Sequence, residues 1–178
     1  MIRVSRKSLA VAASLVFLIT ASLFWYANTW YNNAEIVQNN LQEPNFSWVR
    51  GEGSTELYKL ASDAYYKGAY EQVIELLERL PPNVPGYLDF RILLGHAFLK
   101  NDRPKAAEEV FNGIVEYGEG IWKENAEWHR ILASILAGND LEAIHHLDGL
   151  IEQEKHAYRA LAVKLKTDLE SLWRSIAF

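Results

Sequence analysis

The chain has 178 residues, 49% of them hydrophobic and 23% charged, with no cysteine and a formal net charge of −5. That length suits a single folded core of ordinary size, and the lack of thiols excludes disulfide staples, thiolate metal sites and cysteine nucleophiles. Once Arg3, Arg6 and Lys7 are set apart, 15 basic residues face 23 acidic ones, a net −8 that repels phosphate backbones and anionic headgroups and argues against nucleic-acid binding.

The first predicted element is a membrane anchor. No charged side chain occurs from Ser8 to Ala34, and about 20 apolar residues in helical form cross a bilayer core. Leu9, Leu15, Phe17 and Leu23 supply the apolar surface, while Trp25, Tyr26, Trp30 and Tyr31 gather at the far end, where amphipathic rings settle at headgroup depth. Residues 1–7 form a basic tail that stays cytoplasmic under the positive-inside bias, so 8–34 is the anchor and the remainder faces outward. A cleaved signal peptide is the alternative, with Thr20-Ala21-Ser22 as its small-residue site; either reading exports the domain.

Residues 35–54 read as a linker. The helix could continue for two turns through Leu41, but Glu43-Pro44 and Arg50-Gly51-Glu52-Gly53-Ser54 break it. Gly51-x-Gly53 and Gly118-x-Gly120 are turns, since neither follows a strand nor completes a phosphate-loop fingerprint.

From Thr55 onward the sequence repeats itself. Leu60-Ala61 and Leu94-Gly95 lie 34 residues apart, and the same offset joins Val73 to Ala107, Leu77 to Phe111 and Leu80 to Ile114. Within one unit, Leu57, Leu60, Ala61 and Ala64 mark a first amphipathic helix, Gly68 a turn, and Val73, Ile74, Leu76, Leu77 and Leu80 a second helix that ends at Pro81-Pro82. Small Ala61 and Gly95 stand where paired helices approach closely. A looser third unit runs from Glu127 through Leu141-Glu142-Ala143-Ile144, and its turn reads as shortened by one or two residues. Residues 157–178 then carry Tyr158, Leu161, Leu165, Leu169, Leu172 and Ile176 at three- and four-residue spacing, one amphipathic helix suited to cap the array or to form a homodimer.

No constellation points to catalysis, and the chain reads as a non-enzyme that binds no cofactor or metal. The five histidines, His96, His129, His145, His146 and His156, include no His-Glu-x-x-His pair, and Glu142 with His146 reads as an exposed helix face. Glu71, Glu75 and Glu78, like Glu108, Glu109 and Glu116, are spaced as solvated outer faces, not as a converging pair for acid–base work.

The 34-residue period, the segment Ala64-Tyr65-Tyr66-Lys67-Gly68-Ala69-Tyr70-Glu71-Gln72-Val73-Ile74, the run Leu94-Gly95-His96-Ala97-Phe98 with Ala106-Ala107-Glu108, and Pro85 at the closing position all resemble the tetratricopeptide-repeat (TPR) family. The resemblance implies an all-α fold: a right-handed α-solenoid of about three helix pairs over residues 55–156, carried by the N-terminal transmembrane helix and followed by the cap. It implies a partner-binding groove lined by first helices, here Thr55, Tyr58, Ser62, Tyr65 and Tyr66 from one unit, then Asp89, Ile92, His96, Leu99 and Lys100 from the next. In layout the chain is similar to bacterial single-pass TPR proteins. It is therefore expected in the cytoplasmic membrane of a bacterium with its domain on the outer side, holding a protein or peptide segment; the alternative is an accessory subunit of a larger membrane complex.

Overall fold

The computed structural model describes residues 6–44 and 55–177. Arg3, most of the basic tail and Gly51-x-Gly53 lie outside the described residues, as do the side chains of Leu9 and Thr55. The described residues form helices α1 (Arg6–Trp30), α2 (Asn33–Asn40), α3 (Thr55–Tyr66), α4 (Tyr70–Leu77), α5 (Tyr87–Lys100), α6 (Pro104–Tyr117), α7 (Gly120–Leu136), α8 (Asp140–Ile151), α9 (Arg159–Leu169) and α10 (Leu172–Ala177), and no strand. The all-helical class expected from periodicity is what is found.

Helix α1 is long and apolar enough to cross a membrane or to serve as a signal sequence: Ala12–Trp30 has a mean hydropathy of 1.3 and only 6% of it is buried within the protein. Its hydroxyls do not spoil the apolar surface, because Thr20, Ser22 and Thr29 donate back to carbonyls one turn earlier, at Val16, Ile19 and Trp25. Leu15, Phe17, Leu23, Trp25 and Tyr26 are all exposed on its surface.

The two helical turns after α1 form a helix of their own. Asn32 ends α1 and starts a new helix, donating from Nδ2 to the Asn28 carbonyl at 2.6 Å and accepting the Glu35 amide on Oδ1 at 2.9 Å. The resulting α2 buries Ile36 and Val37 against α7. Two apolar residues one turn from polar Asn39 and Asn40 are too few to announce a docked helix by periodicity, so the fold begins at residue 33.

Residues 55–151 are three helical hairpins closed by one turn used three times. In each, the amide of the third turn residue reaches the carbonyl five back (Ala69 to Ala64, Arg103 to Phe98, Asn139 to Ser134) and the preceding amide reaches three back (Gly68 to Tyr65, Asp102 to Leu99, Gly138 to Ile135). This paired bonding is the Schellman ending, and it needs a left-handed residue, here Gly68 (φ 75°), Asp102 (φ 54°) and Gly138 (φ 82°). The same third residue is the N-cap of the following helix, with φ/ψ of −83°/57°, −117°/61° and −96°/56° at Ala69, Arg103 and Asn139. The turns are 34 and then 36 residues apart. The third turn is thus full length, contrary to the shortened turn expected, and the two extra residues lie before it, on the way into the 17-residue α7.

The register makes the packing intelligible. Ala61, Gly95 and Ile131 are equivalent in the first helices, and Leu77, Phe111 and Leu147 in the second, all buried. Phe111 requires the glycine: a Cβ built on Gly95 would stand 2.5 Å from its ring. Helix α4 is shorter than its counterparts and stops at Leu77, three residues before the expected end, because Leu80 precedes Pro81 and the residue before proline is disfavoured in helical geometry. Helices α3, α5 and α7 also pack on one another directly.

The C-terminal segment is two helices, not one. Ser171 breaks it, its Oγ donating to the Asp168 carbonyl and accepting the Arg174 amide. The break turns Arg174 inward, where it is 4% exposed. Its guanidinium grips Asp140 at 2.7 and 2.8 Å, the Tyr31 carbonyl at 2.6 Å and Asn33 Oδ1, while Trp173 packs edge-on against Tyr26 at 5.1 Å. Helix α10 is thereby fastened to the end of α1.

Two outcomes check this account. Gly95→Ala, normally helix-stabilising, lowers stability by about 1–3 kcal/mol because the fully buried Phe111 ring cannot give way, and adding Phe111→Leu recovers part of the loss in thermal melts. Asp102→Gly raises stability by about 0.5–1 kcal/mol, whereas Gly68→Ala lowers it by about 1 kcal/mol, since only glycine occupies the left-handed region at no steric cost.

Candidate functional site

The expected groove residues do not form one open strip. Tyr65, Ile92, His96 and Leu99 are buried, Tyr58 nearly so, and Asp89, Ser62 and Lys100 are half-buried; Tyr66 alone is largely exposed, at 67%. The reason lies in α5, whose residues Ile92–Leu99 are all buried because α3, α4, α6 and α7 surround it. His96 and Leu99 are core residues and cannot reach a partner, which corrects their placement in the groove. Ser62 spends its hydroxyl on the Lys59 carbonyl and joins no cluster.

Part of the expected groove is covered by the chain itself. The Asn40 carbonyl accepts from Trp128 Nε1 at 3.3 Å, and Leu41 packs against both hydrophobic clusters of the core. Glu43 then takes the Tyr65 hydroxyl at 3.0 Å and pairs with Lys100 at 3.0 Å. Burial, followed by the Glu43 carboxylate, pushes the Tyr65 phenol well above its ordinary range. Residues 40–44 are therefore a strap across the C-terminal halves of α3 and α5 and the middle of α7. Sequence reading missed it because its anchoring groups, a carbonyl and one carboxylate, leave no periodic signature.

Beneath the strap lie two neutral histidines. His96 and His129 are fully buried with ring centroids 4.2 Å apart, and Phe111 lies edge-on to His96 and tilted against His129. His129 Nδ1 sits 2.8 Å from the Asn125 carbonyl, whereas both nitrogens of His96 lack a hydrogen-bond partner. Burial brings His129 down to about 4 against the upward pull of main-chain acceptors at Asn125 and Gln42. Burial, then His129, then Lys100 hold His96 well below its ordinary 6.5.

The other half of the face is open. Tyr58, Asp89 and Ile92 come together with Ile121, Trp122, Glu124 and Asn125 of α7, with Ala157 and Tyr158 from the turn before α9, and with Pro44 at the end of the strap. They bound a cavity of about 260 Å³. Asp89 and Asn125 are equivalent in the 36-residue register, but the sequence does not mark Trp122 and Glu124, since the register that aligns α7 with α5 is not legible there, and it marks Tyr158 only as part of the C-terminal amphipathic helix. Asp89 Oδ1 accepts from Trp122 Nε1 at 3.1 Å, Glu124 accepts the Ala157 amide at 3.2 Å, and Asn125 Nδ2 donates to the Tyr158 hydroxyl at 3.1 Å.

The remaining candidates sit on the surface. Glu71 binds Asn101 and Arg103, joining the turns of the first two hairpins, an exposed contact worth little by itself. His146 lies 3.7 Å from Glu142 on one face of α8, and no group of three metal-ligating side chains gathers among the described residues.

The histidine pair makes stability depend on pH. Both rings sit below their unfolded value, so the unfolded chain takes up protons first: the contribution is whole above about pH 6.5 and is lost as pH falls towards 4. His129 alone accounts for roughly 3 kcal/mol across that window. Thermal melts at pH 7.5 and 4.5 give a smaller difference in His129→Leu than in the parent.

The sequence matches no family model, and no curated protein or solved structure matches it significantly.

Proposed function

We propose that the chain is a membrane-tethered TPR docking module that holds a polypeptide segment against the row of first helices α3, α5 and α7. The observation that carries this reading is the thrice-used turn at 34- and 36-residue spacing, which fits a TPR solenoid and sets equivalent residues of successive first helices beside one another. The uncovered half of that face, walled by tyrosine, tryptophan and isoleucine, has the aromatic character of recognition surfaces. The exposed apolar α1 supports the tether, and the bias of Arg3, Arg6 and Lys7 supports an outward-facing domain in a bacterial cytoplasmic membrane.

Photo-crosslinking in native membranes tests the docking face. A photoreactive residue at Ile121 or Tyr66 is expected to yield a discrete protein adduct, while the same residue at Glu75 or Glu109 yields none. Adducts from the outer-face or anchor positions, with none from Ile121 and Tyr66, reject the docking groove in favour of an accessory subunit. On spheroplasts, added protease degrades the hairpins; protection overturns the orientation.

A further inference from the structure

The open cavity carries a chemistry that the docking reading alone does not specify. Two carboxylates, Asp89 and Glu124, reach it from neighbouring helices, and neither makes an ion pair among the described residues. Their hydrogen bonds come only from neutral donors, the Trp122 indole and the Ala157 amide. Asn125 adds to the negative field: its amide nitrogen is spent on Tyr158, while its Oδ1 is shielded from solvent with no donor. A solvent-shielded acceptor without a partner and two half-buried unpaired carboxylates are costly unless something positive approaches. The walls are aromatic, with Tyr58, Trp122 and Tyr158 lining the same space, and π-faces attract cations.

We infer that this cavity receives one arginine side chain of the docked polypeptide, its guanidinium set against Asp89 and Glu124 and flanked by the aromatic walls. The inference rests on the docking reading above for its occupant. Charge complementarity selects a cation, and a planar, weakly hydrated guanidinium suits this site better than ammonium: it stacks on aromatic faces and meets carboxylates through a fork of N–H donors. The strongly acidic balance of the chain after its N-terminal basic residues draws a basic partner and repels an acidic one.

The test uses the full chain in detergent micelles, labelled with 5-fluorotryptophan, with Trp122→Phe assigning the Trp122 resonance. The probe is the blocked tripeptide acetyl-Gly-Arg-Gly-amide, and its control carries citrulline, the neutral isostere. The arginine peptide is expected to shift the Trp122 line saturably and the citrulline peptide to leave it in place. Asp89→Asn and Glu124→Gln, on different helices so that one misfolded variant does not remove the test, each weaken binding about tenfold or more, about 1.4 kcal/mol. Equal shifts from both peptides, unchanged affinity in folded variants, or no shift up to about 10 mM, within the range of weak binding, overturn the inference. If groove adducts form while the arginine peptide has no effect, this inference falls and the docking face stands. If the arginine peptide binds but no groove adduct forms, the cavity stands as a guanidinium site and the docking reading falls.

Discussion

Everything in the hairpin region depends on how one helix stops. A helix ends with unsatisfied carbonyls, and a left-handed residue lets the next two amides fold back onto them. At Gly68, Asp102 and Gly138 this ending also fixes the starting angle of the following helix, because the residue that completes the old helix's bonding caps the new one. Hairpin geometry is thus settled locally, within three residues. Packing then adjusts to it: where the second helix carries the bulky Phe111, the first gives up its side chain altogether at Gly95.

The strap imposes a second constraint, and it divides the candidate face. Its segment from Asn40 to Pro44 seals the side nearer the buried histidines and leaves the side towards α9 open. The covered half is thereby committed to the protein's own stability. Its Glu43–Lys100 and Glu43–Tyr65 contacts tie it to the ends of α5 and α3. On the docking reading proposed above, the strap leaves a partner the pocket near the first turns of α5 and α7, whose lining side chains are already held by hydrogen bonds, so less ordering remains to oppose binding.

How much of this was legible in the sequence follows from the range of the forces involved. Hairpins one and two could be read because a 34-residue offset repeats apolar residues with no gap, and Gly95 because its smallness coincides with the repeat. The third hairpin could not be put in register, since its equivalent residues stand 36 and not 34 positions after those of the second, so the offset that aligns the first two units fails there. Helix α2 and the strap escaped for a different reason. They are held by contacts 22 to 88 residues away, Tyr65 with Glu43 and Trp128 with Asn40, and no local pattern encodes such pairs. Groove assignment failed at His96 and Leu99 because a helix enclosed by four others has no outer face, and periodicity does not reveal enclosure.

Arg174 closes the chain on itself, joining residues more than 140 positions apart through the Tyr31 carbonyl and Asn33. Force applied along α1 has two routes into the fold: through the peptide backbone into α2 and the strap, and across the guanidinium into α10 and the start of α8. On the tethered reading a pull on α1 is shared between the first and last parts of the protein, and the clasp is a mechanical shunt that leaves the open pocket between α5 and α7 off the direct load path.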